Sequence, residues 1–126
     1  MIDPITAFAA ANAAFKGVKM LVGAGKEIQD ISGQLGAWYG AVADITRAES
    51  QRKNPTFLDK VSQGTESIEQ EAMDIVVRKK TLFEKEKEIK FMLDMRFGFG
   101  TYDEMVDMRR QIRKDREKEV YAVMES

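Results

Sequence analysis

With 126 residues, 33% of them charged and 44% hydrophobic, the chain is long enough for one domain with an apolar core, and its composition is not that of a disordered protein. A net charge of −1 excludes whole-molecule attraction to DNA or to an anionic membrane. Cys and His are both absent, which excludes a disulfide framework, a thiolate metal site and the commonest general base, and fits a reducing compartment.

The charge is unevenly spread. Residues 1–46 carry three Lys/Arg and four Asp/Glu, and residues 47–126 carry seventeen of each, while six of the nine glycines and ten of the thirteen alanines lie in the first part. The expected organisation is a single elongated all-α domain over 1–126: a small-residue-rich helix over 1–48, a polar joint over 49–54, and a charged helical body over 55–126.

The first helix is signalled by "DPIT". Asp3 can accept a bond from a free amide as N-cap, and Pro4 at the first helical position loses nothing by lacking an N–H. Apolar or small residues then recur at Phe8, Ala11, Phe15, Val18, Val22 and Gly25, and a second series runs through Ile28, Ile31, Leu35, Trp38, Val42 and Ile45. The two series are out of step by one residue between Gly25 and Ile28. This predicts either one bent helix over about 4–48 or two helices broken near Gly25, where distortion costs least. The opening has Asp3 where a secretory signal has basic residues, so no cleaved signal peptide is expected. Lys16 and Lys19 interrupt its apolar run and argue against a membrane span. An interfacial membrane helix over 5–26, with Phe8, Phe15 and Leu21 on one side and Lys16, Lys19 and Lys26 on the other, is the lesser reading.

Small residues recur at four-residue steps along this part: Ala10 and Ala14; Gly33, Ala37 and Ala41; Gly36 and Gly40. Such rows allow two backbones to approach closely. The plainer reading, glycines scattered through an alanine-rich helix, leaves their cost of up to about 1 kcal/mol each without compensation.

"NPTF" at 54–57 repeats the capping residue followed by proline and predicts a second long helix over 55–97. It carries a seven-residue column at Val61, Ile68, Ile75, Leu82 and Ile89, with a companion column at Leu58, Thr65, Ala72, Lys79, Glu86 and Leu93. An amphipathic helix explains this pattern, and so does a coiled-coil-like seam in an oligomer or hairpin, which is preferred. Gly98 and Gly100 end the helix, and Thr101 with Glu104 reads as a capping box that opens a shorter helix over 102–124.

Catalytic chemistry finds no foothold. No histidine can activate a serine, no G-x-S-x-G elbow occurs, and carboxylates such as Glu66, Glu69 and Glu71 are spaced as a helical surface. The "GFG" at 98–100 lacks the lysine of a phosphate loop. No enzyme activity, metal or cofactor is expected. One basic run remains: residues 109–119 carry six basic and three acidic side chains, and Arg109, Arg110, Arg113 and Arg116 can form a stripe able to contact phosphates. A salt-bridged exposed helix is preferred, because the run has no aromatic residue for base stacking.

The opening "MIDPITAFAAANAAFKGVKMLVGAGKEI" and the later "GQLGAWYGAVADI" resemble the start of small virion proteins of tailed, particularly marine, bacteriophages. An alanine- and glycine-rich first helix before a charged helical body also resembles the internal, ejection-type proteins of short-tailed phages. The resemblance covers mainly residues 1–45. It implies a structural virion component present in many copies, made in the host cytoplasm and contacting other virion proteins, and it brings no catalytic residues with it. The chain is shorter than ejection proteins, which argues against a membrane channel.

The expectation is therefore a non-enzymatic, homo-oligomeric structural protein. Its packing residues would be Ala10, Ala14, Gly33, Gly36, Ala37, Trp38, Gly40, Val61, Ile68, Ile75, Leu82 and Ile89. The alternatives are a nucleic-acid-associated helical protein that uses the stripe over 109–118, and a bacterial cytosolic helical adaptor.

Overall fold

The computed structural model of the chain describes residues 3–53 and 67–125. All regular structure among them is α-helix: α1 Pro4–Gly23, α2 Ile28–Lys53, α3 Ile68–Phe97 and α4 Thr101–Glu125. Two compact units are distinguished, Met1–Ile89 and Lys90–Ser126, and each is described by itself. The start expected at Pro55, and the column positions Leu58, Val61 and Thr65, lie outside the described residues.

In the first unit α1 opens as the sequence indicates. Asp3 is extended, and its Oδ1 accepts from the Thr6 backbone N–H at 2.7 Å while its Oδ2 accepts from the Thr6 hydroxyl at 3.0 Å. The Thr6 backbone bond, followed by the hydroxyl bond, holds the Asp3 carboxyl below its ordinary value of 3.8. The helix ends in a Schellman arrangement: Gly25 N–H donates to the Val22 carbonyl and Lys26 N–H to that of Leu21, both at 3.1 Å. Gly25 sits at φ +73°, a conformation that costs a side-chain-bearing residue about 1–2 kcal/mol. The slip between the two apolar series is thus a true break, and the first 53 residues make two helices. Beyond the expected end at 48, α2 continues to Lys53, since none of Glu49, Ser50, Gln51, Arg52 or Lys53 is a helix breaker.

These two helices run antiparallel. Phe15 meets Trp38, with ring centroids 6.2 Å apart, and two residues further along α1 Gly17 meets Gln34, four residues back along α2. Among the described residues this is the helix pair whose backbones come close, and small side chains explain it. Ala7, Ala11, Ala14 and Gly17 are all buried on the inner side of α1, opposite Ile31, Leu35, Trp38, Ala41 and Ile45 of α2. A Cβ added at Gly17 would lie 2.6 Å from the Gln34 side chain. Trp38, Ile31 and Val18 are fully buried and anchor the hairpin, each stabilising it by about 1.5–3 kcal/mol through the hydrophobic effect.

α3 joins this unit at a wider spacing, through long side chains. Lys85 places its ammonium 4.4 Å from the centre of the Phe15 ring, and Lys19 pairs with Glu88 at 3.3 Å. Arg78 Nε lies 3.7 Å from Glu49 Oε1, with the two side chains only 17% and 16% exposed. That distance is an ion pair without a hydrogen bond, and Arg78 Nε has no other acceptor among the described residues. Ser67 opens the helix by accepting from Gln70 N–H at 3.0 Å. Of the expected column, Ile89 is fully buried, Ile75 and Leu82 are half-buried, and Ile68, in the first turn, is 82% exposed.

In the second unit the corner between α3 and α4 is built by Gly98 and Gly100, at φ +118° and +94°. Its fastening is Asp94, 8% exposed, whose Oδ1 accepts from Tyr102 N–H at 3.0 Å. Lys90 adds an ion pair to Asp103 at 3.3 Å, and Leu93 and Tyr102 are buried beside them. The expected capping box is corrected here. Thr101 is the first helical residue rather than the cap, and a carboxylate from the preceding helix satisfies the free amide. From Arg110 to Glu125 every residue of α4 is exposed.

Candidate interaction surfaces

Among the described residues, three exposed surfaces and one groove stand out as able to meet another molecule. The first surface is on α2. Of the small residues marked in the sequence, Ala14 is buried in the hairpin and Trp38 is its largest buried side chain. Ala10, Gly33, Gly36, Ala37 and Gly40 are exposed, and a Cβ added at Gly33, Gly36 or Gly40 would meet nothing within 4 Å. The close approach inside the chain therefore uses Ala7, Ala11, Ala14 and Gly17, and of the expected Ala10 and Ala14 row only Ala14 takes part. The G-x-x-x-G of α2 faces outward.

The second surface is the outer side of α3. Its inner side carries Ile75, Leu82 and Ile89, whereas Met73, Val76, Val77 and Phe83 lie on the other side and are exposed. Positions 73, 76, 80 and 83 follow the 3–4–3 helical spacing, with Val77 one turn after Met73, so these residues share one broad face that Lys80 interrupts. Lys87 covers part of it, 4.6 Å above the Phe83 ring and 3.6 Å from Glu84. A helix that is apolar on two opposite sides is one that expects cover on both.

The third surface is on α4. Arg109, Ile112, Arg113, Arg116, Val120 and Met124 line a shallow groove along one side of the helix. Three of the four arginines of the basic run are thus brought together. Arg110 is turned away and pairs with Asp107 at 3.8 Å. The sequence marked the arginines but missed that apolar side chains alternate with them on the same face. The signal was present in Ile112, Val120 and Met124, spaced eight and four residues apart.

The groove, of about 270 Å³, lies between α2 and α3 in the first unit and is lined by Ile45, Glu49, Ser50, Glu71, Lys79 and Leu82 among others. Arg78 pairs with Glu49 beside it, at 3.7 Å. Among the described residues no cluster of three or more His, Cys, Asp or Glu side chains could hold a metal. By length and composition α1 is apolar enough to cross a membrane, although its inner side is packed on α2.

Comparison with family models, with curated proteins and with solved structures found no match.

Proposed function

We propose that the chain is a non-enzymatic structural component of a bacteriophage virion, an elongated helical protein that assembles with copies of itself and with other virion proteins through helix faces the lone chain leaves uncovered. The observation that carries this reading is the double-sided character of α3, with Ile75, Leu82 and Ile89 turned inward and Met73, Val76, Val77 and Phe83 turned to solvent. Apolar side chains in a row along one helix gain about 25 cal/mol per Å² when covered, and cover by another chain is the means an assembly supplies. The open glycine face of α2 offers a second place for close approach. Placement in a virion rests on the resemblance of residues 1–45 to phage virion proteins.

The test is the solution mass of the purified protein, measured by light scattering over a range of concentrations at low and high salt. A discrete multimer or an ordered polymer is expected. A helical monomer at every concentration overturns the self-assembly reading.

A further inference from the structure

The larger, C-terminal part of α4 packs none of its side chains away from solvent. Arg110 to Glu125 are all exposed, and a lone helix of about 12–15 residues is only marginally stable in water. One side of it holds Ile112, Val120, Tyr121 and Met124 beside Arg109, Arg113 and Arg116, with Glu117 as the one carboxylate among them. Among the described residues no ion pair engages Arg113 or Arg116. A partner for this side must therefore be apolar along its length and acidic at its flanks.

The chain itself carries such a surface. On the outer side of the first half of α3, Met73 and Val77 are exposed one turn apart. Glu69 stands one turn before Met73, Asp74 lies beside it, and both carboxylates are exposed and without an ion pair among the described residues. Lys80 and Glu84 follow on the same side, so carboxylates outnumber the lysine there. Residues 69–84 of α3 and 109–124 of α4 each span roughly 22 Å at about 1.5 Å per residue, and the two faces match in length, in apolar content and in opposite net charge.

Resting on the assembly reading above, we propose that α4 of one copy docks on the outer face of α3 of a second copy, with Ile112 and Val120 against Met73 and Val77, and with Arg113 and Arg116 answering Glu69 and Asp74. Pairing α4 with α4 in parallel sets the arginine rows of both copies side by side, which like-charge repulsion opposes; antiparallel pairing uses the α4 face alone and would survive loss of the α3 face, so the α3 variant below separates it from this contact. A nucleic-acid backbone would satisfy the arginines but would leave the apolar members of the row in water. The contact joins two different faces, so it is heterologous: every copy offers one α4 and one α3 face, and copies add head to tail into a ring or a filament.

Two variants test this. Arg113→Glu with Arg116→Glu disables the α4 face, and Met73→Glu with Val77→Glu disables the α3 face. All four positions are exposed, and circular dichroism confirms that helicity is kept. Each variant alone should associate at least tenfold more weakly than the unaltered chain, and the wild-type association should weaken with salt. An equimolar mixture should then form one-to-one dimers and nothing larger, because one live α4 meets one live α3 face. Multimers that persist in either variant would locate assembly elsewhere, on α4 alone if only the α3 variant keeps them, and overturn this contact while leaving the assembly reading intact. Failure of the mixture to associate would overturn it as well. So would tight, salt-sensitive binding of a short DNA duplex through Arg113 and Arg116 by a chain that stays monomeric. A wild-type monomer that binds no DNA overturns both readings at once.

Discussion

The α1–α2 hairpin and α4 are written in the same helical period, and they end in opposite conditions. In the hairpin, Phe15, Val18, Ile31, Leu35 and Trp38 are all buried; in α4, Ile112, Val120 and Met124 are all exposed. Side-chain size and charge separate the two. Ala7, Ala11, Ala14 and Gly17 let α1 lie close enough to α2 for a core with no charge inside it, whereas the α4 row shares its side with Arg109, Arg113, Arg116 and Glu117. A 3–4 spacing shows that a helix has a face. The identity of the residues between the apolar ones decides whether that face can be closed by the same chain.

That contrast can be broken by mutation. The largest effect is expected from Trp38→Ala, which removes the biggest buried side chain and should cost about 3–5 kcal/mol. Amide exchange should accelerate throughout α1 and α2 and stay unchanged over 110–125, where there is no packing to lose; accelerated exchange in α4 as well would mean the two regions are coupled. Asp94→Ala removes the fastening of the α4 start and should cost about 1–2 kcal/mol, read as faster exchange at the Tyr102 amide with the hairpin untouched. Gly36→Ala together with Gly40→Ala should stabilise the monomer by up to about 1 kcal/mol per position, because nothing stands within 4 Å of either added Cβ. The same pair should weaken assembly if α2 packs closely on another chain, so a higher melting temperature with a lower mass is the expected combination. The smallest effect is that of pH on Asp3. Its folded pKa lies below the ordinary 3.8, so its cap contributes fully above that value and is lost as pH falls through the lowered one. Asp3→Asn should remove this dependence, measured as the helix signal between pH 5 and 2.

Much of the helical layout was legible because it is locally encoded. Asp3-Pro4 marks the start of α1, Gly25 marks its end, and the paired glycines at 98 and 100 mark the corner, each through backbone chemistry that needs no distant partner. The phase of the core was legible in α2, where Ile31, Leu35, Trp38 and Ile45 are large and alone on their side. In α1 the phase was legible as well, since Ala11, Phe15 and Val18 of the expected series are buried; what alanine on almost every side of that helix concealed was which small residues make the close contact, Ala7, Ala11 and Ala14 being buried while Ala10 is exposed. The outward turn of Gly33, Gly36 and Gly40 follows from the same difficulty, since a glycine reports how near a neighbour can come and not whether one is present. The cap by Asp94 was missed because it reaches eight residues forward. Its trace is a carboxylate directly after Leu93, on the inner side of the helix, where a charged residue needs a partner. The candidate surfaces were half legible, with the arginine row seen and its apolar companions overlooked.

The Asp94 bond to the Tyr102 amide has one more consequence. It joins the last turns of α3 to the first turn of α4 across a corner of three residues, Gly98, Phe99 and Gly100, and makes α4 a lever rather than a tether. At about 1.5 Å per residue its 25 residues reach roughly 37 Å, so a rotation of about 10° at the corner swings the far end by roughly 6 Å. That is more than one turn of a partner helix, and it means that the aim of the exposed arm is set by one carboxylate near its base.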